Sequence, residues 1–244
     1  MNAINFYDLS PHPTKNNSSV RDEIFEYWHI LFNDQDIKND IAQLTQSFDE
    51  QDWQNYQLTW QNIDQNNDQE MTDWLMALFN QLFNQPDTHI MPTILVRGGT
   101  EPEYFPADSD EPARIEFAHG FFASCLHEIS HWCIAGKHRR TLNDFGYWYE
   151  SDGRDANKQA IFEQVEIKPQ AIECLLNQAC GRFFYVSQDN LNADFDTSKS
   201  TFDSDVYHQA IKYLSNPHTL PKDARRLIWV FLYICQNFQI KHQG

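Results

Sequence analysis

Apolar residues recur at helical spacing along most of this 244-residue chain, and that periodicity commits it to a mainly helical fold. Ile24, Tyr27, Trp28 and Leu31 form one stripe, and Ile37, Ile41 and Leu44 a second. A third runs through Trp74, Leu75, Leu78, Phe79 and Leu82, on a helix that Thr72 or Asp73 would cap. Between the second and third stripes, Gln61 to Glu70 is almost wholly polar and reads as an exposed linker. It divides a helical N-terminal extension (residues 1–70) from a larger domain (71–244). Further helices are expected over about 121–135, 160–179, 204–215 and 222–237. Gly136 and Gly181 stand where left-handed C-caps would close the first two. Pro169 predicts a kink or a restart in the second. Ile90 to Val96, Arg114 to Ala118 and Arg182 to Ser187 read as short strands, while 100–112 and 144–155 read as loops, the latter with a hairpin as the alternative. The expected class is α+β and helix-dominated, with a small sheet.

No stretch approaches the roughly 20 apolar residues of a membrane helix. Leu227 to Cys235 comes nearest and is too short, with Arg225 and Arg226 just before it. The opening Met1-Asn2-Ala3-Ile4-Asn5 has no export signal, so a cytoplasmic location is expected. Five cysteines without a CxxC pair argue for reduced, buried thiols. A net charge of -17 disfavours nucleic acid and anionic membrane as partners. It suits a basic partner or plain solubility.

His127 and His131 are four residues apart on an expected helix. Their side chains then share a face, with Cβ atoms about 6 Å apart, and both imidazoles can reach one ion at about 2.1 Å. Glu128 lies on the same side and completes an HExxH pattern as the catalytic candidate. The bland alternative is two helix histidines hydrogen-bonded in an aromatic core. A working site needs a third ligand. Glu163, Glu166, Gln170 and Glu173 form a polar stripe opposite Ile161, Val165, Ile172, Leu176 and Ala179. Such a stripe is ordinarily the solvated face, but this one lies beyond a loop and can fold back to present a carboxylate. Glu166 is the choice, because Gln170 one turn later would steady it; Glu163 is the rival. His119 sits where it could line a cleft, with a structural role the alternative. No histidine is followed two positions later by Asp or Glu, so the H-x-D/E…H pattern of jelly-roll iron oxygenases is missing.

The run Phe117-Ala118-His119-Gly120-Phe121-Phe122-Ala123-Ser124-Cys125-Leu126, continuing through His127 to Lys137, closely resembles the bacterial elongation factor P hydroxylase family. So do Asp144-Phe145-Gly146-Tyr147-Trp148-Tyr149, Asp152-Gly153-Arg154-Asp155-Ala156, and Phe162 to Ala171. The resemblance covers about 72 to 215 well and the last helix loosely; the first 70 residues have no counterpart in it. It implies a compact mixture of helices and a small sheet, unlike a jelly-roll. It also implies a non-haem iron monooxygenase that hydroxylates the β-lysylated lysine of elongation factor P, with molecular oxygen as co-substrate. The family's two histidines and one carboxylate fall on His127, His131 and Glu166. Iron(II) is the implied cofactor, and zinc a substitute in purified material, since zinc outranks ferrous iron in affinity.

For a long cationic substrate arm, Phe145, Tyr147, Trp148 and Tyr149 would line a channel through methylene and cation–π contacts. Asp144, Asp152 or Asp155 would receive its amines, with Arg154 also assigned to the substrate site. The alternative is a loop that only packs on the core. Two rival functions share these ligands: an HExxH zinc peptidase with Glu128 as general base, and a non-catalytic adaptor with a closed structural metal.

Overall fold

The computed structural model describes residues 4–12, 19–85, 91–146, 153–188, 190 and 200–239. Among these, four helices come first: α1 (Ser19–Asn33), α2 (Gln35–Leu44), α3 (Glu50–Asn62) and α4 (Asp68–Phe83). A three-stranded sheet follows, with β1 (Thr93–Arg97), β2 (Glu103–Phe105) and β3 (Ala113–Phe117). Then come α5 (Phe122–Arg139), α6 (Ala156–Ala179), α7 (Phe202–Ser215) and α8 (Lys222–Cys235). The class is the expected helix-dominated α+β.

Side-chain caps set the starts of α2, α3, α4 and α6. Asp34 accepts from Ile37 N at 3.0 Å and opens α2. Asp49 and Asp52 form a reciprocal capping box on α3. The polar run 61–70 holds the end of α3, a tight turn and the first turn of α4, so the cap lies at Asn67 rather than at Thr72 or Asp73. Asn and Asp favour helix starts as strongly as loops, which is why that run looked like a linker. Its Asp68 also serves α5, which has no side-chain cap of its own: Asp68 Oδ2 accepts from Phe122 N at 2.9 Å.

In the sheet, β3 is central, parallel to β1 and antiparallel to β2. Leu95 and Ile115 face each other in register and are buried. β2, within the segment expected to be loop, is too short to show a pattern. Arg182 to Ser187 makes no strand: Ser187 N donates to the Gln170 side chain at 3.0 Å, not to a neighbouring strand. From β3 a short turn, Ala118–Gly120, leads directly into α5, so the sheet fixes where the histidine helix begins.

Two helices depart from expectation. Gly136 breaks α5 where the first helical run was expected to end, and a further short helical turn continues to Arg139. Its φ of 66° and ψ of 178° belong to a region open essentially to glycine alone, distinct from the left-handed cap. Pro169 does not restart α6, which runs as a continuous 24-residue helix. Every residue from Pro169 to Ala179 is buried, and α6 packs on α5, α7 and α8, which offsets the missing hydrogen bond.

The core is one apolar cluster that runs from Trp28 and Phe32 of α1 to Trp132 of α5, Leu175 of α6 and Trp229 of α8. Helix α1 packs on α7, and α2 and α3 on α8. The Phe32 and Trp229 rings stack at 4.8 Å, and Trp229 Nε1 donates to Phe32 O at 2.9 Å. All five cysteines are free, four of them buried and Cys235 half-buried. Among the described residues no helix is long and apolar enough to cross a membrane.

Candidate metal centre

Helices α5 and α6 lie side by side and antiparallel, so His127 meets Glu173 while His131 meets Glu166. The polar stripe of α6 points inward: Glu166, Gln170 and Glu173 are buried, whereas Ile161 and Val165 are 64% and 44% exposed. A polar face turned towards a neighbouring helix is the reverse of ordinary amphipathic packing, and it requires something between the helices to satisfy it.

His131 Nε2 lies 3.1 Å from His127 Nε2 and 3.2 Å from Glu166 Oε1. Glu166 Oε2 lies 3.9 Å from His127 Nε2. Atoms bound to a single ion at about 2.1 Å are themselves about 3.0–3.4 Å apart, between octahedral and tetrahedral angles. Two of the three spacings match that range and the His127–Glu166 approach is about 0.5 Å longer; the three donors gather within 4.8 Å of one another, a group that could hold one metal ion. Among the described residues these three donors gather, and three protein donors would leave an ion free positions for other ligands. Asp34, Asp36 and His218 also gather, but Asp34 is occupied in capping α2, and His218 lies against Arg225.

The surrounding groups prepare these donors. Gln170 Nε2 lies 3.4 Å from Glu166 Oε2 and donates to Ser187 O at 2.8 Å, bracketing the carboxylate. Burial would raise the Glu166 carboxyl, but the charge and hydrogen bond of His131, with His127 and Gln170, bring it down to about 2. Burial would lower the His127 imidazole, yet the hydrogen bond and charge of Glu173, then Glu166 and Glu128, raise it to about 10. Burial pushes the Glu128 carboxyl up, against the pull of both histidines. Three carboxylates around two imidazoles make a basin suited to a cation.

Glu163 stands outside this group. Gln159 Nε2 donates to it at 3.2 Å and Ser200 Oγ at 2.9 Å. His119 is exposed, with a positive φ of 58°. Asp144 Oδ1 accepts from Tyr104 N at 2.9 Å, and Phe145 is buried with its ring 4.0 Å from that of Tyr104. Asp155 caps α6 through Asn157 N and Lys158 N. Arg154 is buried, donates to Gln159 Oε1 at 3.1 Å and lies 3.8 Å from the Phe162 ring centre. Tyr147, Trp148, Tyr149 and Asp152 lie outside the described residues. Sequence reasoning placed Glu173 on the stripe without a role. Its spacing of seven from Glu166, two helical turns, was the available signal.

The family model for elongation factor P hydroxylase matches residues 78–243. This chain belongs to the elongation factor P hydroxylase family. A relative named "Elongation factor P lysine hydroxylase", from Haemophilus influenzae, is 47% identical over 154 residues, which are 63% of this chain and 83% of that protein. The family match includes His127, His131, Glu166 and Glu173 and runs through α8, the helix that the resemblance covered only loosely. It begins inside α4, which leaves α1, α2 and α3 outside it. Both comparisons name hydroxylases, and neither supports the peptidase alternative.

Proposed function

We propose that this chain hydroxylates the β-lysylated lysine side chain of elongation factor P at a mononuclear non-haem iron centre held by His127, His131 and Glu166. The observation that carries the reading is the convergence of these three donors, within 4.8 Å of one another, inside a chain of the hydroxylase family. Iron, when bound, would supply the redox chemistry by which one atom of molecular oxygen becomes a hydroxyl on an unactivated carbon and the other leaves as water, with two electrons from an external reductant; zinc has no such redox chemistry. The protein's part is to present the two imidazole Nε2 atoms and one carboxylate oxygen and to leave the opposite positions free. We assign the catalytic carboxylate to Glu128, which is half-buried and close enough to His127 and His131 to feel their charge.

For the substrate arm, we assign Tyr147, Trp148 and Asp152 to the channel. Asp144 and Arg154, each with an internal partner, steady the two ends of the segment that carries those residues. The acidic chain suits a basic patch around the target lysine, and a cytoplasmic location follows from the substrate.

The test is metal content together with reaction outcome. Protein prepared anaerobically with ferrous iron should bind one iron per chain and modify elongation factor P without cutting it. His127→Ala and His131→Ala should each lose iron and activity together. Full activity in either variant, or a cleaved elongation factor, would overturn the reading.

A further inference from the structure

Glu173 is the strongest element of the centre that the proposed ligand set leaves unused. Its Oε2 lies 2.8 Å from His127 Nδ1, closer than either histidine lies to Glu166 or to the other histidine. It lies on α6 two turns beyond Glu166, on the same face, and is 9% exposed. A carboxylate accepts there, so Nδ1 carries a proton, and Nε2 is the nitrogen left to give its lone pair to an ion. That Nε2 is the atom 3.1 Å from His131 Nε2, on the side of the ion.

We propose that Glu173 is a positioning residue of the metal centre: its carboxylate fixes the Nδ1–H form of His127, aims Nε2 at the ion and strengthens it as a donor. This rests on the reading of His127 as a ligand. The two helices then share the work: α5 supplies both imidazoles, and α6 supplies one carboxylate to the ion and a second behind it. Removing such a partner weakens metal binding by about 10- to 100-fold while every direct ligand stays in place.

The test titrates the metal-free full-length protein with Co2+, followed by visible absorption, with melting temperature measured on the metal-free protein as a folding control. Glu173→Gln keeps the shape and an acceptor oxygen but loses the charge; Glu173→Met keeps the approximate volume and loses the acceptor. The expected result is weaker Co2+ binding in both, about 10-fold for Gln and approaching 100-fold for Met, with absorption bands displaced even at saturation. A residue that only packed would not displace those bands. Should the Met variant fail to fold, the Gln variant decides by itself. Wild-type affinity and bands in Glu173→Gln, with binding lost in His127→Ala, would overturn the role of Glu173 and leave the centre standing. Wild-type binding in His127→Ala would overturn both.

Discussion

Burial and pairing separate the two glutamates that compete for the third ligand position. Glu166 is 5% exposed and sits between two imidazoles, while Glu163 is half-buried and already holds Gln159 and Ser200. Glu166→Ala therefore removes a direct donor and leaves two buried imidazoles without their counter-charge. Its iron content should fall to background after gel filtration. Glu163→Ala should keep its iron and lose only about 0.5–1.5 kcal/mol of stability per hydrogen bond removed. The reverse order in an iron assay would make Glu163 the ligand and the present geometry wrong.

At the scale of elements, the histidine helix depends on what surrounds its two ends. Its start is capped by Asp68 of α4, and near its end Gly136 holds φ 66° and ψ 178°. A Cβ at Gly136 meets nothing within 4 Å, so substitution by alanine tests the backbone alone. Gly136→Ala should cost about 1–3 kcal/mol, read in denaturant unfolding, with metal affinity little changed because His131 lies more than a turn earlier. Much of this element was legible in sequence. The four-residue histidine spacing, the helical stripes and the Glu166/Gln170 spacing are local, and locally periodic features survive folding. What was not legible is tertiary. Whether the Glu166–Gln170–Glu173 stripe faces water or α5 depends on the neighbour it meets, and the pattern is identical in either case. The continuous run of α6 through Pro169 is likewise decided by burial on three helices rather than by the residue's own preference. Asp68 caps a helix 54 residues away, which no local window can show.

Across the whole molecule, the segment outside the family match is built into the same core as the metal centre. Trp28 is fully buried and its Nε1 donates to Leu9 O at 2.8 Å. Gln57 Nε2 donates to Tyr233 O at 3.1 Å, so α3 is bonded to α8 as well as packed on it. Trp28→Ala should cost about 3–5 kcal/mol, comparable with the whole stability margin of a typical domain. Its metal affinity, measured below its lowered melting temperature, should match wild type, because α1 supplies no donor. Deleting residues 1–70 is more severe. It removes Asn67 and Asp68, the caps of α4 and α5, and uncovers Trp229. The expected product melts far below the full chain or self-associates on gel filtration; an unchanged melting temperature would show that α1 to α3 are dispensable to the core.

The central claim is that three donors on α5 and α6 hold the iron with which this chain hydroxylates a modified lysine. Peptide mass spectrometry of β-lysylated elongation factor P, incubated with the iron-loaded protein and a chemical reductant under isotopically heavy dioxygen, tests it most directly. The account predicts one heavy oxygen atom on the original lysine side chain with the wild-type protein, and none with His131→Ala. An unmodified peptide from wild type, a light oxygen, a hydroxyl on the added β-lysyl group, or a severed chain would each contradict it.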